Sequence, residues 1–102
     1  MTGEERQGGP ARTADGRYVV IDGRRWRASD PEIPEDVAAE LRRGLMAARR
    51  AVGAALRRQD VEGEREARRQ VQRYKVALGE RGVPWWEQSD EERRRRWSEP
   101  FE

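Results

Sequence analysis

The sequence predicts a mainly α protein. An antiparallel, coiled-coil-like pair of long helices is preceded by a small β-hairpin and followed by a short third helix. Three observations predict this. Ala38, Leu41, Leu45, Ala48, Val52 and Ala55 alternate spacings of three and four, which is the seam of a heptad helix. Ala67, Val71, Tyr74 and Leu78 resume the rhythm after a polar break at Gln59-Asp60, so the second helix folds back on the first. Tyr18-Val19-Val20-Ile21, Asp22-Gly23 and Arg24-Arg25-Trp26-Arg27 read as strand, two-residue turn and strand, because Asp-Gly suits a turn with positive φ at both positions.

The elements follow in order. Residues 1–16 are polar and rich in Gly and charge, and they read as a flexible tail. A chain of 102 residues is ordinarily one domain, here 17–97. The β-hairpin occupies 17–28, and its turn sets Ile21 against Arg24, Val19 against Trp26 and Tyr18 against Arg27. Val19, Ile21 and Trp26 then share a face that can pack on a helix. Ser29 to Asp36 is a connector with two prolines. Pro34 suits a first helical turn, and Glu35 and Asp36 complement the helix dipole. Asp30, Glu32, Glu35 and Asp36 do not have calcium-loop spacing, so no metal is assigned to them.

The first helix spans 34–58. The second spans 61–81, with Asp60 as its N-cap and Gly82 with Pro84 as its stop. Glu64 with Arg68 and Glu66 with Arg69 lace its outer face. Ser89-Asp90-Glu91-Glu92 is a capping box opening a short helix at 90–97, on which Glu91 and Glu92 face Arg95 and Arg96. Residues 98–102 form a frayed end.

Only 34% of the chain is hydrophobic and 41% is charged, a composition suited to long solvated helices. The basic residues are 21 arginines and Lys75. The chain has no Cys and no His, which excludes disulfides, thiolate chemistry and the commonest general base. Ser29, Ser89 and Ser98 have no His to activate them, and no glycine-rich phosphate loop is present. The expectation is a non-enzymatic protein with no catalytic residues, cofactor or metal. No run approaches the roughly 20 apolar residues of a membrane span, and the first sixteen residues hold no apolar leader segment. The expected location is cytoplasmic, without a membrane partner.

The net charge of +2 conceals blocks. Residues 28–40 hold five acids and no base, and 41–59 hold six arginines and no acid. Arg43, Arg50 and Arg57 recur about 10 Å apart along the first helix, flanked by Arg42 and Arg49. They form a candidate basic contact face. Gly44, Ala47, Ala51 and Ala54 form a small-residue stripe beside the seam, a candidate surface for a partner helix or a second copy. Gly44 and Gly53 each cost about 1 kcal/mol against Ala in a helix, and they suit places where another backbone comes near. Trp26 belongs to the hairpin. An antiparallel return places Trp85 and Trp86 beside Ile33 and Val37, where they plug the open end. Trp85, Trp86 and Trp97 are also candidate aromatic contacts, the last together with Phe101.

The segments Val20-Ile21-Asp22-Gly23-Arg24-Arg25-Trp26-Arg27, Leu45-Met46-Ala47-Ala48-Arg49-Arg50-Ala51-Val52 and Ala77-Leu78-Gly79-Glu80-Arg81-Gly82-Val83-Pro84-Trp85-Trp86-Glu87 resemble a family of small bacterial proteins common in actinobacteria. Some of its members carry the label "biopolymer transporter Tol". The resemblance covers about residues 17–97 and implies a self-contained bacterial protein; it carries no site residues with it.

The expected function is a protein–protein interaction module, an adaptor or small regulatory subunit. The alternative is a nucleic-acid-binding accessory protein that uses Arg43, Arg50 and Arg57 with the hairpin residues Arg24, Arg25 and Arg27. Zinc ligands, an aromatic reader strand and helix-turn-helix spacing are all missing from the sequence.

Overall fold

Both heptad stretches form helices in the computed structural model, which describes residues 11–101. Helix α1 is Glu35–Arg58 and α2 is Val61–Leu78, and they pack antiparallel against each other. Pro34 stands just before α1 as its N-cap, and its carbonyl accepts the amide of Ala38. At the far end Gln59 turns left-handed at φ 57°. Asp60 then caps α2, its side chain accepting from the Gly63 amide at 2.9 Å.

Helix α2 ends three residues earlier than expected. Gly79 adopts φ 88°, and the amides of Gly79 and Glu80 close on the carbonyls of Val76 and Lys75. A left-handed residue stops the helix before Gly82 is reached. Gly79 also lies tight in the fold: a Cβ there would sit 3.0 Å from the Trp85 ring and 3.2 Å from Asp30.

The hairpin forms in the expected register. Strand β2 (Tyr18–Ile21) pairs with β3 (Arg24–Arg27) through Tyr18–Arg27, Val19–Trp26, Val20–Arg25 and Ile21–Arg24. Asp22 and Gly23 take φ 53° and 77°, the geometry a two-residue hairpin turn needs. The sheet has a third strand. Ala11–Arg12, within the expected tail, forms β1 and pairs antiparallel with β2 through Ala11–Val20 and Arg12–Val19. The link back is held by Thr13, whose amide donates to the Tyr18 carbonyl. Residues 13–16 of the expected tail form the turn into β2, and residues 1–10 lie outside the described residues.

A single turn at Trp85–Glu87 leads into α3 (Asp90–Ser98). Its capping box is complete: Ser89 Oγ accepts the Glu92 amide and Glu92 accepts the Ser89 amide. The end expected to fray continues as a tight turn, Glu99–Phe101, with the Arg73 guanidinium on the Pro100 carbonyl.

The seam residues Ala38, Leu41, Leu45, Ala48 and Ala55 are buried, and Val52 is half-buried. The larger side chains gather at the open end of the helix pair. Ile33, Leu41, Leu45 and Leu78 pack there with Val37, Val71, Tyr74 and Trp97. Ala55 and Ala67 fill the other end. Among the described residues no helix is long and apolar enough to cross a membrane.

Candidate functional site

The connector is clamped by a carboxylate. Asp30 is 3% exposed. It accepts Arg93 Nε at 2.9 Å and Nη2 at 2.5 Å, Arg96 Nη2 at 2.6 Å and the Glu32 amide at 2.8 Å. Its own amide donates to the Leu78 carbonyl at 2.8 Å. Arg96 also donates to the Ala77 carbonyl at 3.1 Å and to Gln88 at 2.6 Å. Burial pushes the Asp30 carboxyl up. The two guanidiniums and the Glu32 amide outweigh it and hold the group below its ordinary 3.8. One carboxylate holds two guanidiniums, and among the described residues no buried side-chain nitrogen or oxygen lacks a hydrogen-bond partner, so the cluster is structural.

Sequence reasoning missed this clamp. It paired Arg96 with Glu92, but Glu92 is committed to the capping box, and only Glu91 pairs as expected, with Arg95 at 3.0 Å. The available signal was Arg93 and Arg96 at i,i+3, which places both on one face of α3.

The aromatic candidates are mostly internal. Trp85 is buried and donates Nε1 to the Ala28 carbonyl at 2.9 Å. Trp86 meets Trp85 edge-on at 5.1 Å and Tyr18 at 5.7 Å. The guanidinium of Arg17 lies over Trp86 at 4.7 Å and that of Arg27 at 5.8 Å. Trp97 is half-buried against the core and lines a small cavity with Val37, Leu41 and Tyr74. The pair at 85–86 therefore fixes the sheet, whereas the tryptophan packed with Ile33 and Val37 at the open end is Trp97, not the expected Trp85 and Trp86.

The face of that attachment differs from expectation. The sheet docks through Tyr18, not through Val19, Ile21 and Trp26. Those three line a cleft of about 420 Å³ that also touches Arg49 of α1 and Lys75 of α2. Ile21 stays 44% and Trp26 42% exposed.

The small-residue stripe is partly used within the chain. A Cβ on Gly44 would run into the Tyr74 ring, so Gly44 serves the α1–α2 packing instead of a partner helix. A Cβ on Gly53 would meet only the Arg57 guanidinium, at 3.5 Å; no backbone comes near it. Ala47 and Ala51 are exposed and Ala54 is half-buried.

The arginines sort by partner. On α2, Arg65, Arg68 and Arg69 pair with Glu62, Glu64 and Glu66. On α1, Arg42 reaches Glu35 at 2.8 Å and Arg43 reaches Glu40 at 2.5 Å. Arg49, Arg50 and Arg57 are exposed, and the described residues supply them no acid within 4.0 Å. The hairpin arginines have partners within the chain: Arg24 over Trp26 at 4.3 Å, Arg25 over Tyr18 at 4.4 Å, and Arg27 on the Gly82 carbonyl at 2.8 Å. The described residues contain no group of three acid side chains placed to hold a metal ion.

No family model matches the chain, and neither the curated proteins nor the solved structures contain a match to it.

Proposed function

We propose that this protein is a non-enzymatic interaction module of the cytoplasm, an adaptor or small regulatory subunit that meets an acidic protein partner on the outward face of α1. One observation supports this reading: Arg49, Arg50 and Arg57 are exposed with no acid in reach among the described residues, on a molecule that pairs most of its other helical arginines. An exposed pair contributes little to stability. Clustered charges of one sign instead steer a complementary partner and set its register.

The same three arginines favour a second reading, nucleic-acid binding. Of the hairpin arginines that would assist, Arg27 is held on the Gly82 carbonyl, while Arg24 and Arg25 lie over aromatic rings. The two readings separate in one comparison. The wild-type chain and an Arg49→Gln, Arg50→Gln, Arg57→Gln variant are each used to capture partners from nuclease-treated lysate, and each is titrated with duplex DNA. A protein retained by the wild type alone, and binding it again when purified, supports the interaction module. Duplex binding whose log K falls linearly with log salt replaces it with the second reading. Equal capture by both chains removes α1 as the contact face. Self-association through Ala47 and Ala51 is tested by sedimentation over a range of concentrations; a strict monomer excludes it.

A further inference from the structure

We propose that the cleft between the sheet and the helix pair is a docking site for an acidic peptide segment carrying one bulky apolar anchor. The cleft is a different surface from the outward face of α1 and shares only Arg49 with it.

The apolar half of the argument comes from the sheet. Arg12, Val19 and Trp26 form one row across the three strands, since Arg12 pairs with Val19 and Val19 with Trp26. Ile21 lies next to this row on the same face, two residues along β2. Large side chains are scarce in this chain, yet two of them stand more than two-fifths exposed side by side. The sheet does not need that face to attach, because Tyr18 and Trp86 hold it from the other side. Val19, Ile21 and Trp26 form one wall and Ala28 part of the floor, around about 420 Å³. That volume takes one large side chain and parts of its neighbours.

The acidic half comes from the rim. Arg12 stands at one end of the row, and among the described residues its side chain has only a 3.4 Å bond to the Gly16 carbonyl. Arg49 lines the opposite wall, with no carboxylate in reach among the described residues. Arg24 lies on the Trp26 ring at 4.3 Å, a contact that leaves its charge available to a carboxylate. The acid in the wall is already satisfied: Glu80 accepts Ser29 Oγ at 2.7 Å and pairs with Lys75 at 3.7 Å. Arg12 and Arg49 line the apolar slot and Arg24 stands beside it on Trp26, all three without a carboxylate within 4.0 Å among the described residues, and they call for carboxylates flanking an apolar residue. The slot is open to solvent, which suits a length of peptide better than an enclosed small molecule. A nucleic-acid base would need the Trp26 ring face for stacking, and Arg24 already lies over that ring.

The test uses the full chain labelled with ¹⁵N. The probe is an acetylated, amidated peptide in which glutamates flank a central phenylalanine and leucine; its control carries glutamine for every glutamate. The expected result is a saturable shift of the Trp26 indole N–H and the β2 amides, with Kd below about 1 mM. The glutamine peptide and the Arg12→Glu, Arg49→Glu variant should each bind at least about ten-fold more weakly. Trp26→Ala should abolish binding, while an unchanged Trp85 indole signal reports an intact fold. Absence of a saturable shift overturns the proposal. Shifts centred on Arg50 and Arg57 with Trp26 still also overturn it, while leaving the α1 reading in place. Movement of Trp26 on concentrating the chain alone assigns the cleft to a second copy, and an equal response to duplex DNA makes it a general polyanion surface; either result overturns the peptide.

Discussion

At the scale of single residues, Asp30 has the largest consequence. Its carboxylate is buried between Arg93 and Arg96, and removing one partner of such a group strands the other charges. Asp30→Asn should lower stability by about 3 kcal/mol, read from the urea midpoint at unchanged slope. The pH dependence follows from the lowered carboxyl pKa. The stabilisation is complete above the unfolded value of about 3.9 and is lost as pH falls through the lower folded value. Wild-type stability should therefore drop steeply below about pH 4, and Asp30→Asn should flatten that limb of the curve. Two glycines of α1 give a second residue-level test. Gly53→Ala should raise stability by about 0.5–1 kcal/mol, since only a movable guanidinium lies nearby. Gly44→Ala should lower it despite the same gain in helix propensity, because the new methyl collides with Tyr74. Thermal melts of the pair, run side by side, decide this.

At the scale of elements, each unit has a separate attachment. The capping box of α3 contributes about 1 kcal/mol, so Ser89→Ala should loosen α3 while leaving α1 and α2 protected in hydrogen exchange. Trp86→Ala should do the equivalent to the sheet: faster exchange in β2 and β3, with little change in the helices, since Trp86 carries the Tyr18, Arg17 and Arg27 contacts. These elements were legible in the sequence because their causes are local. Asp22-Gly23 dictates the strand register, the heptads dictate the helix pair, and Ser89 with Glu92 dictates the start of α3. Strand β1 was not legible: Ala11–Arg12 has no strand pattern and is ordered by an edge of β2. The clamp was not legible either. The i,i+3 spacing of Arg93 and Arg96 marks a basic face on α3, but it does not name the partner, an aspartate 63 or 66 residues away. The cleft escaped notice because the pattern says which face is apolar, not whether that face closes.

At the scale of the whole molecule, Asp30 adds a polar tie between segments that also share the core through Ile33, Leu78 and Trp97: the connector, the end of α2 and α3. The wild type should unfold in one transition by far-ultraviolet dichroism and by tryptophan fluorescence. In Asp30→Ala the fluorescence change should come first, since three of the four tryptophans lie around that junction or on α3. Coincident transitions in the variant would show that the helix pair has no stability of its own. The arrangement also separates two roles that many small proteins merge. Arg12, Val19, Ile21 and Trp26 line the cleft, Arg24 lies over the Trp26 ring beside it, and none of the five belongs to the buried core. The sheet's anchorage depends on the opposite face. Those five positions can therefore be randomised together with modest loss of stability, which makes this fold a compact, cysteine-free scaffold for selecting new binders, with the aromatic attachment left untouched as a constant frame.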